Sequence, residues 1–315
     1  MPSDAFSLMK DIIKSGRMDA SAKPAGLAAK RRQQADIAAM YRPVPGVLDE
    51  PLADLRDGSY LMTPDRPHED LLILYIHGGG FRTGLAAIAR PLAAHLALGT
   101  QARVVLPKYR LAPEDPYPAG LDDSVAAFEY AATLAPRVVV AGESAGANLA
   151  AAVLLLHAKA QQDTRALAGV LYSGVFDLRI ERYASGSWVE RRDTDLILAG
   201  ADSAMTTDYI GDQRYDAPLI SLLLADLHGL PPLFVQVSSA EMLLDDSLEL
   251  VARAGVQVEL EVWPEMTHAW QIAAGFLPEA TEATARTAAF INRVAEGRVV
   301  DGAALLGGPA ILDEV

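Results

Sequence analysis

Cysteine is absent from all 315 residues, so disulfides and thiolate metal sites are excluded and packing alone must hold the fold. No apolar run reaches the length that a bilayer-spanning helix needs. The opening residues, Met1-Pro2-Ser3-Asp4-Ala5-Phe6, also lack the basic stretch followed by an apolar one that marks an export signal. The expectation is a cytoplasmic protein with no membrane partner. Positive charge is in short supply: 27 Lys and Arg stand against 41 Asp and Glu, a net charge of −14. Binding nucleic acid requires a basic stripe that neutralises phosphates, so DNA and RNA are excluded as main partners. The same charge disfavours acidic substrates. No repeat period and no low-complexity tract is present. What the chain does have is apolar bulk, with 51% hydrophobic residues and a mean hydropathy of +0.16, enough for one large α/β domain or a core with a small appendage.

Apolar positions fall at helical spacing in residues 4–41, at Leu8, Ile12 and Ile13 and then at Leu27, Ile37 and Met40, which predicts two helices. After the break at Arg42-Pro43-Val44-Pro45, short apolar runs alternate with helical patterns. Strands are expected to include 71–76, 103–106, 138–141, 169–172, 233–237 and 256–263. Strands separated by helices imply right-handed crossovers and a mostly parallel sheet. Residues 179–218 break that rhythm with Asp, Arg, Ser and Gly and short helical pieces such as 202–209, as an insertion would. A tail at 299–315 can be ordered only by docking.

Gly142-Glu143-Ser144-Ala145-Gly146 joins the β-type run 137–141 to the helix-forming segment 147–154. Between a strand and a helix, G-x-S-x-G places its serine in a sharp turn, and the flanking glycines let the backbone close while Oγ points outward. A serine nucleophile needs a base, an orienting acid and oxyanion donors. The base candidate is His268, in Pro264-Glu265-Met266-Thr267-His268-Ala269-Trp270 just past the last strand run; His68, His95, His157 and His228 read as structural. The acid belongs between serine and histidine in chain order, and Glu241 is the first carboxylate after the run 233–237. Asp245 and Asp246 follow, in positions that favour the N-terminal charges of a helix. Oxyanion N–H groups come from Ala145, after the serine, and from His77-Gly78-Gly79-Gly80, which follows the strand at 71–76. That glycine run is no phosphate cradle, because neither G-x-G-x-x-G nor G-K-[ST] is present in it.

In this order the motifs resemble those of the bacterial hormone-sensitive-lipase family of α/β-hydrolase carboxylesterases, over residues 71–294. The resemblance rests on Tyr75-Ile76-His77-Gly78-Gly79-Gly80-Phe81, on Tyr109-Arg110-Leu111-Ala112-Pro113-Glu114 with Pro116-Tyr117-Pro118-Ala119, on Gly142 to Gly146, and on Gly229-Leu230-Pro231-Pro232 leading to Glu241. It implies an α/β-hydrolase fold with a mostly parallel eight-stranded sheet and a helical cap. Its divisions are N-terminal cap helices at 1–45, core at 46–178, cap insertion at 179–218, core with the acid and histidine at 219–298, and the tail. It further implies hydrolysis of short-chain acyl esters without metal or cofactor, and a possible homodimer. Carried onto this chain, Ser144 is the nucleophile, His268 the base and Glu241 the acid, with Gly78, Gly79 and Ala145 forming the oxyanion hole. Arg110 and Glu114 resemble a structural ion pair, and Asp123 a supporting residue. Three features depart from the family pattern: the elbow has Glu143 where Asp is usual and Ala147 where Gly is common, Glu241 stands where Asp is usual, and the segment from Glu241 to His268 is about one helical turn shorter than in many relatives, which keeps Asp245 as a lesser candidate for the acid. Trp188, Tyr183, Phe81, Met205 and Tyr209 are candidate pocket residues. The alternatives are an amidase or formamidase using the same machinery, and a ligand-binding receptor on a hydrolase scaffold.

Overall fold

A computed structural model describes residues 2–18, 26–159, 166–198, 204–298 and 304–305. In chain order its elements are α1 (Asp4–Met18), α2 (Gly26–Ala39), β1 (Val47–Pro51), β2 (Tyr60–Pro64), β3 (Leu71–Ile76), α3 (Arg90–Thr100), β4 (Arg103–Leu106), α4 (Ala119–Leu134), β5 (Arg137–Glu143), α5 (Ala145–Lys159), β6 (Ala166–Tyr172), α6 (Ser187–Glu190), α7 (Ala204–Ile210), β7 (Leu233–Ser238), α8 (Leu244–Arg253), β8 (Val258–Trp263), α9 (Pro278–Ala295) and β9 (Ala304–Leu305). The strands form one sheet in the order β1-β2-β4-β3-β5-β6-β7-β8-β9. β1 and β2 pair antiparallel, as do β2 and β4, and all other pairs are parallel. Eight strands are those the resemblance implies. The added β9 is two residues of the tail, with Ala304 and Leu305 opposite Glu259 and Leu260.

The sequence of β3, Leu-Leu-Ile-Leu-Tyr-Ile, explains its place at the centre. All six residues are buried, as a parallel strand covered by helices on both faces requires. With a side-chain period of two, Leu72, Leu74 and Ile76 enter the core that holds α4, α5 and α8, while Leu71, Ile73 and Tyr75 enter the one that holds α3 and α9. Full burial of one such side chain contributes about 1.5–3 kcal/mol, several times a surface ion pair, so apolar burial holds the sheet centre far more than ion pairs do. The parallel strands β5 to β8 end at one edge, and the loops after them carry the chemistry.

Both N-terminal helices form, although Leu8 and Ile12 of α1 are 62% and 61% exposed; α1 is held instead by Phe6, buried with Trp263, Met266 and Trp270. Of the helix expected at 202–209, the part from Ala204 on is α7, between β6 and β7, and 202–203 lie outside the described residues, as does the expected tail apart from 304–305. No helix among the described residues is long and apolar enough to cross a membrane.

Candidate active site

Ser144 occupies the single-residue turn between β5 and α5 with φ 56°, in the left-handed region that a non-glycine residue enters only under constraint. The constraint is visible on both sides. A Cβ at Gly142 would overlap the Gly146 carbonyl, and a Cβ at Gly146 would overlap the carbonyls of Ile76 and His77. The two glycines thus let α5 pack directly onto the end of β3. Ser144 N–H donates to Tyr172 O at 2.9 Å, and Ser144 is half-buried where its neighbours are buried.

The loop after β8 brings His268 to the loop after β7. His268 Nδ1 lies 2.7 Å from Glu241 Oε2, with side chains 6% and 0% exposed. A carboxylate can only accept, so Nδ1 carries a proton, and in the neutral ring Nε2 keeps its lone pair. Glu241 is held from its other side, where Oε1 accepts the Ser173 hydroxyl at 2.8 Å and Ser238 N–H at 2.9 Å. Burial works against a charge on His268, but the hydrogen bond and charge of Glu241, with the charges of Asp195 and Glu143, outweigh it and raise the imidazole above its ordinary range. Among the described residues the Ser144 hydroxyl makes no hydrogen bond in this resting geometry.

Opposite the serine, the glycine loop is fixed from below. His77 is buried against Tyr109, ring centroids 4.4 Å apart, and the Tyr109 hydroxyl donates to His77 O at 2.8 Å. Burial lowers the His77 ring to about 4, so it is neutral and donates from Nδ1 to Gly78 O at 2.9 Å. Gly79 and Gly80 take φ 119° and 60°, open to glycine almost alone. Gly78 departs from the sequence expectation, because its N–H donates to Glu143 Oε1 at 2.6 Å and is therefore engaged. Burial pushes the Glu143 carboxyl up to about 7, against the pull of Tyr75 and of Gly78 N–H. Among the described residues, the N–H groups of Gly79, Gly80 and Ala145 donate to no protein acceptor.

A profile of the α/β hydrolase fold matches residues 73–272. An acetyl-hydrolase of Streptomyces hygroscopicus is 38% identical over 227 residues, covering 70% of this chain and 75% of its own. Carboxylesterase NlhH of Mycobacterium tuberculosis is 36% identical over 237 residues, covering 70% and 73%. Among solved structures, a hormone-sensitive lipase from a metagenome library superposes with a TM-score of 0.84 at 30% identity, covering 93% of this chain and 99% of its own. An esterase of the bacterial hormone-sensitive lipase family gives 0.82 at 31%, with the same coverage. This chain belongs to the bacterial hormone-sensitive-lipase family of α/β hydrolases. It is a carboxylic ester hydrolase.

Other candidate residues of the esterase have different partners from those expected. Asp245 Oδ2 accepts Ser187 N–H at 2.7 Å, and Asp246 accepts Phe176 and Asp177 N–H at 2.7 and 3.0 Å and pairs with Arg182. Neither carboxylate is bonded to His268. Arg110 and Glu114 do not pair: Arg110 binds Asp123 at 2.9 Å, whereas Glu114 binds Arg31 of α2 at 2.7 Å, an interaction that ties α2 to the loop after β4. Trp188, Phe81 and Tyr209 are buried packing residues, with Phe81 stacked on Tyr209 at 3.6 Å; Met205 and Tyr183 are half-buried, the first against Gly80 and the second against the Trp188 ring at 4.4 Å. Two site residues went unnoticed in the sequence. Ser173 donates to Glu241 and accepts Ala269 N–H at 3.4 Å, so it touches both acid and base loops; Asp195 accepts Met242 N–H, the amide next to Glu241.

Proposed function

We propose that the esterase works by acyl transfer through Ser144, with His268 as general base and Glu241 as orienting acid. The observation that carries this reading is the buried His268–Glu241 hydrogen bond, which makes Nε2, on the side away from the acid, the basic nitrogen of the neutral ring. Nε2 takes the Ser144 proton as Oγ attacks the ester carbonyl and a tetrahedral oxyanion forms. The N–H groups of Gly79, Gly80 and Ala145 are the donors without protein acceptors and receive that oxyanion. The imidazolium then protonates the departing alkoxide. Water, deprotonated by the same nitrogen, attacks the acyl-enzyme and releases the acid.

We further assign α1, α2 and the insertion between β6 and β7 to a cap over the site, and short acyl chains to the substrate. Support for the chain length comes from Trp188 and Tyr209 of the insertion and Phe81 of the glycine loop, whose buried, packed rings close the insertion against that loop. The test is hydrolysis of p-nitrophenyl acetate, butyrate, octanoate and laurate, beside matched anilides, by wild type and Ser144→Ala. Turnover falling from butyrate to laurate, and abolished by Ser144→Ala, is expected. Laurate as the best substrate would overturn the chain-length assignment, and anilides cleaved faster than esters would favour the amidase reading.

A further inference from the structure

Asp195 is a buried carboxylate in an otherwise polar turn of the insertion, 1% exposed beside the exposed Arg192, Asp193 and Thr194. Its Oδ1 accepts the N–H groups of Ile197 and Leu198 at 3.0 and 2.8 Å, which closes its own turn. Oδ2 reaches out of the insertion to Met242 N–H at 3.0 Å, the amide next to Glu241. Neighbouring contacts join the same two segments: Thr194 Oγ donates to Ala240 O at 3.0 Å, Ser187 Oγ to Met242 O at 2.7 Å, and Asp245 N–H to Ser187 Oγ at 3.1 Å. The acid loop therefore takes its position from the insertion as well as from the sheet.

We propose that Asp195 is a positioning residue for the acid–base pair, holding the Glu241 loop through Met242 N–H and adding a carboxylate to the field in which His268 works. This rests on the triad reading above. The charged groups that face His268 are Glu241 from the loop after β7, Glu143 from the end of β5, and Asp195 from the insertion, and all three raise its basicity. Asp195 also acts on Glu241, where its negative charge opposes ionisation of the acid. Of these three carboxylates, Asp195 is the one that the insertion carries, so the segment over the site also sets the strength of the base.

The sign follows from the charge. Without Asp195 the imidazolium loses a stabilising neighbour, its pKa falls, and the acid limb of the pH–rate profile moves to lower pH. The test is kcat and KM for p-nitrophenyl butyrate across the acid limb, for wild type, Asp195→Asn, Asp195→Glu and Asp245→Asn, with thermal melting of each. For Asp195→Asn the limb is expected to move down by about half a unit or more. Its kcat should fall about tenfold from misplacement of the acid, with KM within about twofold. Asp195→Glu should return the limb toward its wild-type position, and Asp245→Asn, which loosens the insertion without removing a charge that acts on His268, should leave it in place. If Asp195→Asn does not fold, Asp195→Ser keeps an acceptor for the turn without the charge. An uncharged, folded variant whose limb and kcat coincide with wild type overturns the proposal. Failure of the triad reading is distinguishable, since it appears as hydrolysis that survives Ser144→Ala.

Discussion

Changing Glu241 to Gln tests the orienting acid with almost no change in shape. Glu241 Oε1 faces two donors, the Ser173 hydroxyl and Ser238 N–H, while Oε2 faces His268 Nδ1. The Gln carbonyl oxygen belongs where two donors converge, so its NH2 falls opposite the imidazole. Nδ1 must then accept, the proton moves to Nε2, and the ring presents a donor to Ser144 where catalysis needs an acceptor. A wrong tautomer in a Ser-His-acid enzyme costs about 10⁴ in kcat. Two hydrogen bonds to the substituted side chain survive, so we expect a loss of about 10³–10⁴, or about 4–5.5 kcal/mol in barrier height, with KM within about threefold. The assay is steady-state hydrolysis of p-nitrophenyl butyrate by Glu241→Gln beside Asp245→Asn, with near-UV circular dichroism to confirm folding. Asp245→Asn weakens only the acceptor for Ser187 N–H and should cost about 1 kcal/mol in stability with activity within about threefold. Folded Glu241→Gln with a tenth or more of wild-type kcat would refute this reasoning, as would Asp245→Asn matching its loss.

Three further outcomes are expected. Because His268 is raised above its ordinary value and must be neutral to accept the serine proton, kcat/KM should rise with pH through an apparent pKa above about 6.5; a limb centred below that value contradicts the electrostatics. Ser173→Ala removes one donor to Glu241 and an acceptor for Ala269 N–H, and should lower stability by about 1–3 kcal/mol in urea unfolding and reduce kcat more than KM. Gly146→Ala drives a methyl into the carbonyls of Ile76 and His77, where only backbone can move, and should cost more than about 3 kcal/mol; a urea midpoint unchanged from wild type would show that the elbow is looser than drawn.

The readable parts of this chain are those encoded within a few residues. The turn at Ser144 announces itself through glycines two residues away on either side, between a β-branched run and an alanine-rich one. His268 and Glu241 stand out because each follows directly on a strand pattern, and the hydrogen bond between them agrees with that order. β3 is plain in the sequence because every residue is apolar, while β1 and β2 are short, antiparallel and partly exposed, and their sequences carry no comparable apolar run. Contacts between distant segments left no local trace. Gly78 is 65 residues from the Glu143 carboxyl that engages its N–H, so nothing in His77-Gly78-Gly79-Gly80 tells which amides stay free. Ser173 lies 68 residues from Glu241, and Asp195 lies 47 from Met242 in a turn that reads as surface. The Arg110–Glu114 pairing failed for the same reason, since Arg31, 83 residues away, reaches Glu114 from α2.

The most direct test of the central claim is covalent labelling of the nucleophile by diethyl p-nitrophenyl phosphate, which releases p-nitrophenol as the serine oxygen bonds to phosphorus. Intact mass should show one diethylphosphoryl group per chain, peptide mapping should place it on Ser144, and ester hydrolysis should disappear in step with labelling. An adduct on another residue, or undiminished hydrolysis by a fully labelled or Ser144→Ala protein, would contradict the account.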